Sequence, residues 1–329
     1  MINRHSKPVI AITAGDCNGV GPEVVLKSVS HPSVKRICSP VLVGPVSVFE
    51  YYARRMKTPL PSYPIVESSI MPLRSIRPGT LSVASGRAAA QAIETAVQLA
   101  EAGVVQAIVT APVSKHALHR AHVKFPGHTE MLQRLTGSKR VAMMLVSETM
   151  RVGLVTMHAP LKRVSSLLTR KLVRQRIEVI HDALVRDWQI KNPRIAVLAL
   201  NPHAGEAGDI GTEDKRIISP VVRSLASSNM QIKGPFPADA FFARYRPEDY
   251  DAVIAMYHDQ GLIPLKMSAF GRAVNVSAGL PIVRTSPDHG TAFDIAGKGL
   301  ADPASMIEAI KLAVVIARNR STHPSRVRA

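Results

Sequence analysis

Three short apolar runs that each lead into a histidine constrain the fold of this chain more than any other feature. The runs and their histidines are residues 151–157 with His158, residues 194–200 with His203, and residues 252–256 with His258. Each run has the length of a buried strand. In open parallel sheets, ligands bind outside the carboxyl ends of the strands, so these histidines are predicted to reach one edge of a sheet.

Imidazole is a common ligand of divalent metals, and three imidazoles at one edge therefore predict a metal site. The alternative is three unrelated capping or core histidines, which is the more common role of any single one. The repetition of the strand-then-histidine pattern favours the metal site.

Strands alternate with helices along most of the chain, which is typical of the α/β class. A strand is predicted at Val9–Thr13, an alanine-rich helix at Ser85–Glu101, a strand at Val104–Val109 and a closing helix at Pro303–Ile316. Thr212 is predicted to cap the helix that follows the His203 loop. We expect residues 1–329 to form two interleaved α/β lobes around one active-site cleft, with boundaries that the sequence does not mark.

The composition indicates a folded protein, because 46% of the 329 residues are hydrophobic and 20% are charged. No apolar run has the length of a membrane span. The first residues lead directly into a short strand rather than forming a signal peptide. Cys17 and Cys38 are too few for a disulfide framework or a cysteine-rich zinc site. We therefore expect a cytoplasmic protein that has no membrane partner.

The formal net charge of +18 raises the alternative of a nucleic-acid-binding protein. The basic residues are scattered, aromatic residues make up only 4% of the chain, and no established nucleic-acid-binding motif is present. A basic surface also suits an anionic small molecule. We therefore expect a small anionic ligand and no nucleic acid.

Two polar turns precede helices. Gly15–Glu23 is a glycine-rich turn after a strand, but it matches neither a P-loop nor a Rossmann turn, and alone it indicates only a tight turn. His128 and Thr129 open another helix, where backbone amides favour anions, although a helix cap is the more common role of such a pair. Lys115 follows a strand end and is either an anion contact or a solvated lysine.

Four motifs in one order carry a resemblance over nearly the whole chain. They are Gly15-Asp-x-x-Gly-Val-Gly-Pro-Glu23, Pro126-Gly-His-Thr-Glu130, Asn201-Pro-His-Ala-Gly-Glu206 and Tyr257-His-Asp-Gln-Gly261. Together they resemble the 4-hydroxythreonine-4-phosphate dehydrogenase family of pyridoxal phosphate biosynthesis. The resemblance implies a two-lobed fold like that of isocitrate and isopropylmalate dehydrogenases, with a central cleft. It also implies NAD as cofactor and a homodimer with the active site at the subunit interface.

The resemblance assigns roles to individual residues. It makes His158, His203 and His258 the ligands of one divalent ion, for which Zn, Mg, Mn and Co remain open. The implied contacts to the phosphorylated substrate are His128, Thr129, Lys266, Asn275 and Arg284. The implied cofactor contacts are Asp288, His289, Gly290, Thr291, Ala292 and Asp294. A carboxylate at Asp294 near the adenosine ribose would repel the extra phosphate of NADP and thus favour NAD.

The implied reaction oxidises an alcohol beside a carboxylate-bearing carbon to a β-keto acid, which then loses carbon dioxide. Lys266 is a candidate catalytic residue that can also neutralise an anion. Asp239 and Asp259 are candidates for proton transfer or for orienting a ligand histidine. Plain structural carboxylates are the alternative for both.

Two loops depart from the family pattern. The first usually reads Gly-Asp-Pro-Ala-Gly, and here it contains Cys17 and Asn18. The second usually reads Gly-Glu-Gly-Gly-His, and here it contains Ala207 and Asp209. The departures leave the substrate open, because related enzymes oxidise 4-phospho-D-threonate or 4-phospho-D-erythronate with the same ligands. A branch that acts on aromatic cis-dihydrodiols lacks the Pro-Gly-His-Thr motif, which this chain keeps.

Overall fold

A computed structural model describes residues 6–123 and 128–322 of the chain. Their contacts divide them into two compact units. Unit 1 combines the residues up to 138 with residues 280–322, and unit 2 is the continuous segment 139–279. In the sequence, unit 2 is therefore an insertion between the two segments of unit 1.

The strands of the described residues, in chain order, are β1 (Val9–Thr13), β2 (Ser39–Val43), β3 (Ile65–Val66), β4 (Ala107–Thr110), β5 (Ala142–Val146), β6 (Arg151–Leu154), β7 (Ile195–Leu198), β8 (Ile232–Phe236), β9 (Ala252–Ala255), β10 (Val274–Ala278) and β11 (Arg284–Pro287). The helices are α1 (Gly21–Ser30), α2 (Pro32–Ile37), α3 (Val46–Arg55), α4 (Val83–Glu101), α5 (Lys115–Arg120), α6 (His128–Leu135), α7 (Leu161–Leu167), α8 (Arg170–Asp187), α9 (Ser219–Ala226), α10 (Ala238–Ala243), α11 (His258–Ala269) and α12 (Ala304–Thr322).

Unit 1 is built on a parallel sheet with the strand order β3-β2-β1-β4-β11. Helices α4 and α12 pack against its central strands. Strands β1 and β4 are apolar over nearly their whole length and are almost fully buried, as expected for parallel strands that are covered on both faces.

Unit 2 contains a mixed sheet with the strand order β10-β5-β6-β9-β7-β8. Strand β5 is antiparallel to both β10 and β6. The remaining strands, β6, β9, β7 and β8, are parallel. Leu154, Val253, Leu262 and Leu265 belong to a buried cluster that packs α11 against this sheet. The packing fixes the start of α11 at the carboxyl end of β9.

The predicted α/β class is confirmed, whereas several predicted element ends shift. Helix α4 starts before Ser85, because the side chain of Ser82 accepts the Ser85 amide and caps the helix. The strand predicted at 104–109 is β4, which begins only at Ala107. The prediction for Thr212 is wrong. Its backbone carbonyl accepts the Arg216 amide, and a π-helical turn at Asp214–Ile218 precedes α9.

Within the described ranges, no helix is both long enough and apolar enough to cross a membrane.

Candidate active site

The three histidines that were predicted as metal ligands follow neighbouring strands of unit 2. Strands β6 and β7 both pair with β9 in parallel, so the carboxyl ends of all three lie at one edge of the sheet. His158 follows β6, His203 follows β7, and His258, three residues after the end of β9, is the first residue of α11. Adjacent strands lie about 5 Å apart, which is within the reach of imidazoles that share a ligand.

Side chains tie these three strand ends together. The Thr156 hydroxyl donates to the Met256 carbonyl at 2.7 Å, which joins the segments after β6 and β9. Gln260 accepts the Met256 amide at 2.7 Å and donates to the Ala199 carbonyl at 2.6 Å, which joins the segments after β9 and β7. These hydrogen bonds therefore fix the backbone segments that carry the three histidines relative to one another.

His258 is held by its neighbour Asp259. Its Nδ1 lies 2.7 Å from Asp259 Oδ1, a hydrogen bond in which the ring donates when the carboxylate is ionised. This arrangement leaves Nε2 for a ligand, as in metal sites where a carboxylate orients a histidine. The rings of His158 and His258 have centroids 6.0 Å apart. Across the described residues, no three His, Cys, Asp or Glu side chains are already grouped tightly enough to hold a metal, and the three-histidine site stays a prediction.

His203 opens an unusual backbone segment. Residues 203–207 all have positive φ, and only Gly205 among them is a glycine. The left-handed conformation costs about 1–2 kcal/mol for each non-glycine residue. Strain of this size is maintained only where the surrounding structure enforces it, and such sites are often functional.

Arg284, a predicted substrate contact, is buried at the start of β11 in unit 1. Only 2% of its surface is exposed, and burial lowers its pKa to about 9, so the guanidinium is protonated at neutral pH. Its Nε and Nη2 atoms donate to the Thr110 hydroxyl at 3.1 and 2.7 Å. A buried guanidinium that is oriented by a hydroxyl in this way suits an anionic ligand.

His128 and Thr129 open α6 in the same unit. Burial lowers the pKa of His128 well below its usual value, and the charges of Arg284 and Lys115 lower it further. The ring is therefore neutral, and its buried Nε2 has no hydrogen-bond partner. Thr129 is buried beside it in sequence. An unpartnered nitrogen close to two cations fits a phosphate oxygen. Pro126 and Gly127 of the same motif lie outside the described residues.

The other predicted catalytic and substrate residues lie in unit 2. Asn275 is in β10, and its Oδ1 is buried without a hydrogen-bond partner. Lys266 is exposed on α11, two turns after His258. Asp239 is exposed in the first turn of α10, which follows β8. The structure places Asp259 against a histidine, whereas Asp239 takes no part in that hydrogen bond.

The predicted cofactor loop is fixed in unit 1 by the glycine-rich turn after β1. The Val20 amide donates to the Thr291 carbonyl at 2.9 Å, and a Cβ added at Gly19 would lie 3.0 Å from the Thr291 side chain. The turn that alone indicated little thus supports the loop. Cys17, which burial gives a raised pKa of about 12, is inert packing in this turn.

The far end of the cofactor loop is held by an ion pair on α1. Glu23 is fully buried and accepts the Ala301 amide at 2.9 Å and the Gly299 amide at 3.3 Å. Lys27 donates to Glu23 at 2.9 Å, to the Gly299 carbonyl at 2.8 Å and to the Ala301 carbonyl at 2.7 Å.

The six predicted cofactor contacts lie around the first anchor and before the second, at residues 288–292 and 294. Asp294 is exposed, as a ribose contact requires, and His289 has a buried Nε2 without a hydrogen-bond partner. Asp288 is fixed by its amide, which donates to the Ser305 hydroxyl at 3.2 Å. Gly290, Thr291 and Ala292 form the turn between them, and Ala292 has a φ of 38°. The loop offers polar groups that fit the adenosine half of a dinucleotide.

Comparison with known proteins identifies the family. The model of the family described as pyridoxal phosphate biosynthetic protein PdxA matches residues 36–313. The chain belongs to this family. It is 41% identical to the 4-hydroxythreonine-4-phosphate dehydrogenase of Trichlorobacter lovleyi, covering 95% of this chain and 99% of the relative. It is 43% identical to the D-threonate 4-phosphate dehydrogenase of Cupriavidus necator, covering 95% and 98%.

Solved structures agree with this assignment. The crystal structure of 4-hydroxythreonine-4-phosphate dehydrogenase from Klebsiella pneumoniae matches with a TM-score of 0.84 and 38% identity, over 95% of this chain and 99% of that one. A β-decarboxylating dehydrogenase from Thermococcus kodakarensis, 15% identical with a TM-score of 0.51, shares the fold. The predicted family, the fold class and the assignment to a 4-hydroxythreonine-4-phosphate dehydrogenase are confirmed.

The sequence did not reveal several residues that support the predicted site residues. They are Thr110, Thr156, Asp214, Gln260 and the Glu23–Lys27 pair. Their contacts join segments that are far apart in the sequence, so no local pattern marks them. Gln260 and Glu23 did carry a signal, since they lie inside the Tyr257–Gly261 and Gly15–Glu23 motifs.

Proposed function

We propose that the chain catalyses the metal- and NAD-dependent oxidative decarboxylation of 4-phosphohydroxy-L-threonine to 3-amino-2-oxopropyl phosphate. The observation that carries the proposal is the delivery of His158, His203 and His258 to the ends of three adjacent parallel strands. The family assignment supplies the reaction class.

The proposed chemistry has two stages. Oxidation of the C3 hydroxyl transfers a hydride to NAD and a proton to a base, and it leaves a β-keto acid. The bond to the carboxylate then breaks, carbon dioxide leaves, and the carbon that keeps the electron pair is protonated. When bound by the three histidines, a divalent ion supplies the Lewis acidity that polarises the hydroxyl and then the ketone oxygen.

The chain's own residues perform the binding and proton steps. Arg284 and His128 bind the phosphate, the first as a cation and the second through its unpartnered Nε2. Thr129 and Asn275 add polar contacts to the substrate. Asp259 orients His258, while the exposed Lys266 and Asp239 are the candidates that exchange protons with the substrate and with solvent.

The proposed cofactor is NAD rather than NADP, because the exposed Asp294 carboxylate would repel a 2′-phosphate. Initial rates with the two cofactors at equal concentration test this choice. A preference for NADP would show that the loop at 288–299 has been misassigned.

A homodimer in the cytoplasm is the proposed working form. An apolar stripe at the end of α11 supports it, since Ile263 and Met267, four residues apart on the helix, are 58% and 73% exposed, and Phe270, directly after the helix, is 87% exposed. A solvent-exposed stripe of this kind is typical of a protein–protein interface.

A phospho-sugar acid is the second candidate substrate. The chain is as similar to the Cupriavidus necator D-threonate 4-phosphate dehydrogenase as to relatives named for hydroxythreonine phosphate. The candidates differ at C2, where an ammonium or a hydroxyl must be matched, and a mismatched buried polar group costs about 1–3 kcal/mol.

The purified chain should be assayed with NAD against 4-phosphohydroxy-L-threonine, 4-phospho-D-threonate and 4-phospho-D-erythronate side by side. We expect the highest kcat/KM for the first, loss of NADH formation in EDTA, and recovery on adding a divalent ion. A higher kcat/KM for either phospho-sugar acid would replace the substrate while keeping the reaction class. Full activity in EDTA would contradict the metal site.

A further inference from the structure

Three consecutive residues, Glu213, Asp214 and Lys215, form hydrogen bonds that hold the strained segment that begins at His203. Asp214 is at the centre and is only 1% exposed. Its Oδ1 accepts the Leu200 amide at 2.7 Å, and its Oδ2 accepts the Asn201 amide at 3.0 Å. Both amides belong to the residues between β7 and the left-handed turn.

The side chain of Asn201 is held by the same group. Its Nδ2 donates to Asp214 Oδ2 at 2.9 Å and to Glu213 Oε2 at 3.0 Å. Lys215 donates to the Ala207 carbonyl at 3.1 Å, at the other end of the left-handed run. Three consecutive residues thus bind both ends of the segment that contains His203.

The packing inside the turn permits little adjustment. Gly205 is buried, has a φ of 81°, and a Cβ there would lie 2.8 Å from the Gly211 carbonyl oxygen. The favourable contacts of Asp214 offset the steric cost of the left-handed backbone at the non-glycine residues. A conformation maintained against that cost, with a proposed metal ligand as its first residue, is consistent with a positioning function.

We propose that Asp214 is the positioning residue for His203, holding the turn in the conformation that presents this imidazole to a divalent ion. The proposal rests on the proposed metal site and names a residue outside the set of ligands. Asp214 does not touch the ion. It acts through the Leu200 and Asn201 amides, and so through the backbone that carries His203.

Metal binding to the chelator-treated, full-length protein tests the proposal without relying on turnover. Co²⁺ is titrated into the apoprotein and followed by calorimetry and by the visible absorption of the bound ion. Asp214→Asn keeps the side chain's size but sets an amide donor against backbone and side-chain donors. We expect it to weaken Co²⁺ binding about 10- to 100-fold, as is usual for residues that orient metal ligands.

Two controls separate positioning from general stability. Asp187→Asn alters another buried carboxylate of unit 2, paired with Arg186 at the end of α8, and should leave Co²⁺ affinity unchanged. Asn201→Ala removes only the side-chain bonds to Glu213 and Asp214, and should weaken binding about three- to tenfold. This milder variant decides the matter if Asp214→Asn fails to fold by circular dichroism.

The outcomes are distinguishable. The positioning role is refuted, and the metal site stands, if His203→Ala abolishes Co²⁺ binding while folded Asp214→Asn binds Co²⁺ as tightly as wild type. If Asp214→Asn does not fold, the same comparison is made with folded Asn201→Ala. If His203→Ala itself binds Co²⁺ as tightly as wild type, the metal site of the proposed function is refuted instead. Equal weakening by Asp187→Asn and Asp214→Asn would also refute the inference, because the effect would then reflect lost stability.

Discussion

Single residues in the His203 turn show how this chain departs from its family. Ala207 takes the place of a glycine in the family pattern described above, and it has a φ of 56°. A side chain in the left-handed region is strained, whereas glycine adopts this region without that penalty. The departure therefore lowers the stability of the turn, and the contacts around Asp214 offset the loss.

Ala207→Gly should stabilise unit 2 by about 0.5–1 kcal/mol, since relief of about 1–2 kcal/mol of strain exceeds the cost of about 0.5–1 kcal/mol that glycine adds through chain entropy. Gly205→Ala is the matched opposite and should destabilise, because its Cβ would lie 2.8 Å from the Gly211 carbonyl oxygen. Guanidinium unfolding midpoints of both variants measure the effect. A lower midpoint for Ala207→Gly would show that the left-handed run is not strained.

Thr110 is the residue through which Arg284 should acquire its orientation. The two are 174 residues apart in sequence, which is why no sequence pattern reveals the contact. Thr110→Val keeps the shape but removes an acceptor of two charge-assisted hydrogen bonds, each worth about 1.5–3 kcal/mol. The KM for the phosphorylated substrate should rise about tenfold or more, with a smaller change in kcat.

Thr110→Ser is the matched control, since it restores the hydroxyl and should restore the KM. If Thr110→Val leaves the KM unchanged while Arg284→Gln raises it, Arg284 binds substrate without help from Thr110. If neither variant changes the KM, the substrate role of Arg284 is wrong.

At the scale of elements, the sequence predicts what local patterns encode. Strand β1 agrees residue for residue with the prediction, because Val9–Thr13 is an uninterrupted apolar run closed by glycine and polar residues. The strand-end histidines were likewise predictable from apolar runs that stop at a polar residue. The order β6-β9-β7 was not predictable, because it depends on pairings between residues 101 and 57 positions apart, Val152 with Val253 and Ile195 with Ala252.

Loops that are supported from a distance were the least predictable. The glycine-rich turn after β1 matched no nucleotide motif, yet its Val20 amide supports the cofactor loop at Thr291. Likewise, Asn18 replaces a family alanine and binds the Arg77 amide at 2.8 Å and the Thr80 carbonyl at 3.1 Å. These contacts link positions that are distant in the sequence, and periodicity carries no information about them.

Helix α1 should control cofactor affinity through the Glu23–Lys27 pair. Lys27→Met removes three hydrogen bonds to Glu23, Gly299 and Ala301, and thereby loosens the end of the cofactor loop. We expect the KM for NAD to rise about three- to tenfold. Hydrogen bonds to charged groups contribute about 1.5–3 kcal/mol each, and losing them makes the loop conformation that binds the cofactor less stable. The KM for the phosphorylated substrate should stay the same.

Arg54→Met is the control for this helix pair. It breaks an exposed pair with Glu50 at the same four-residue spacing on α3 and should leave both constants unchanged. Equal effects of the two substitutions, or a change confined to the substrate KM, would contradict a role of α1 in cofactor binding.

For the whole molecule, the net charge of +18 is a poor guide to partners, since several basic side chains have internal functions. Arg284 is buried in unit 1. Arg176 donates to the Val141 and Val155 carbonyls, and Arg320 donates to the Leu280 and Pro281 carbonyls. Part of the positive charge thus has a role within the fold, which composition alone does not reveal.

The oligomeric state is the property of the whole molecule that one helix face should decide. Ile263 and Met267 on α11 and Phe270 directly after it form an exposed apolar stripe, and burying it against a second copy would remove that surface from water. We therefore expect the wild-type chain to sediment at about twice its 35.5 kDa mass.

Met267→Glu places a charge in the middle of the stripe and should shift the equilibrium to monomer, because burying an unpaired carboxylate is costly. Ile70→Glu changes a residue of unit 1 that is even more exposed, at 87% against 73% for Met267, and should remain dimeric. Analytical ultracentrifugation of the three proteins decides the matter: a wild-type monomer would rule out the dimer, and a dimeric Met267→Glu variant would place its interface elsewhere.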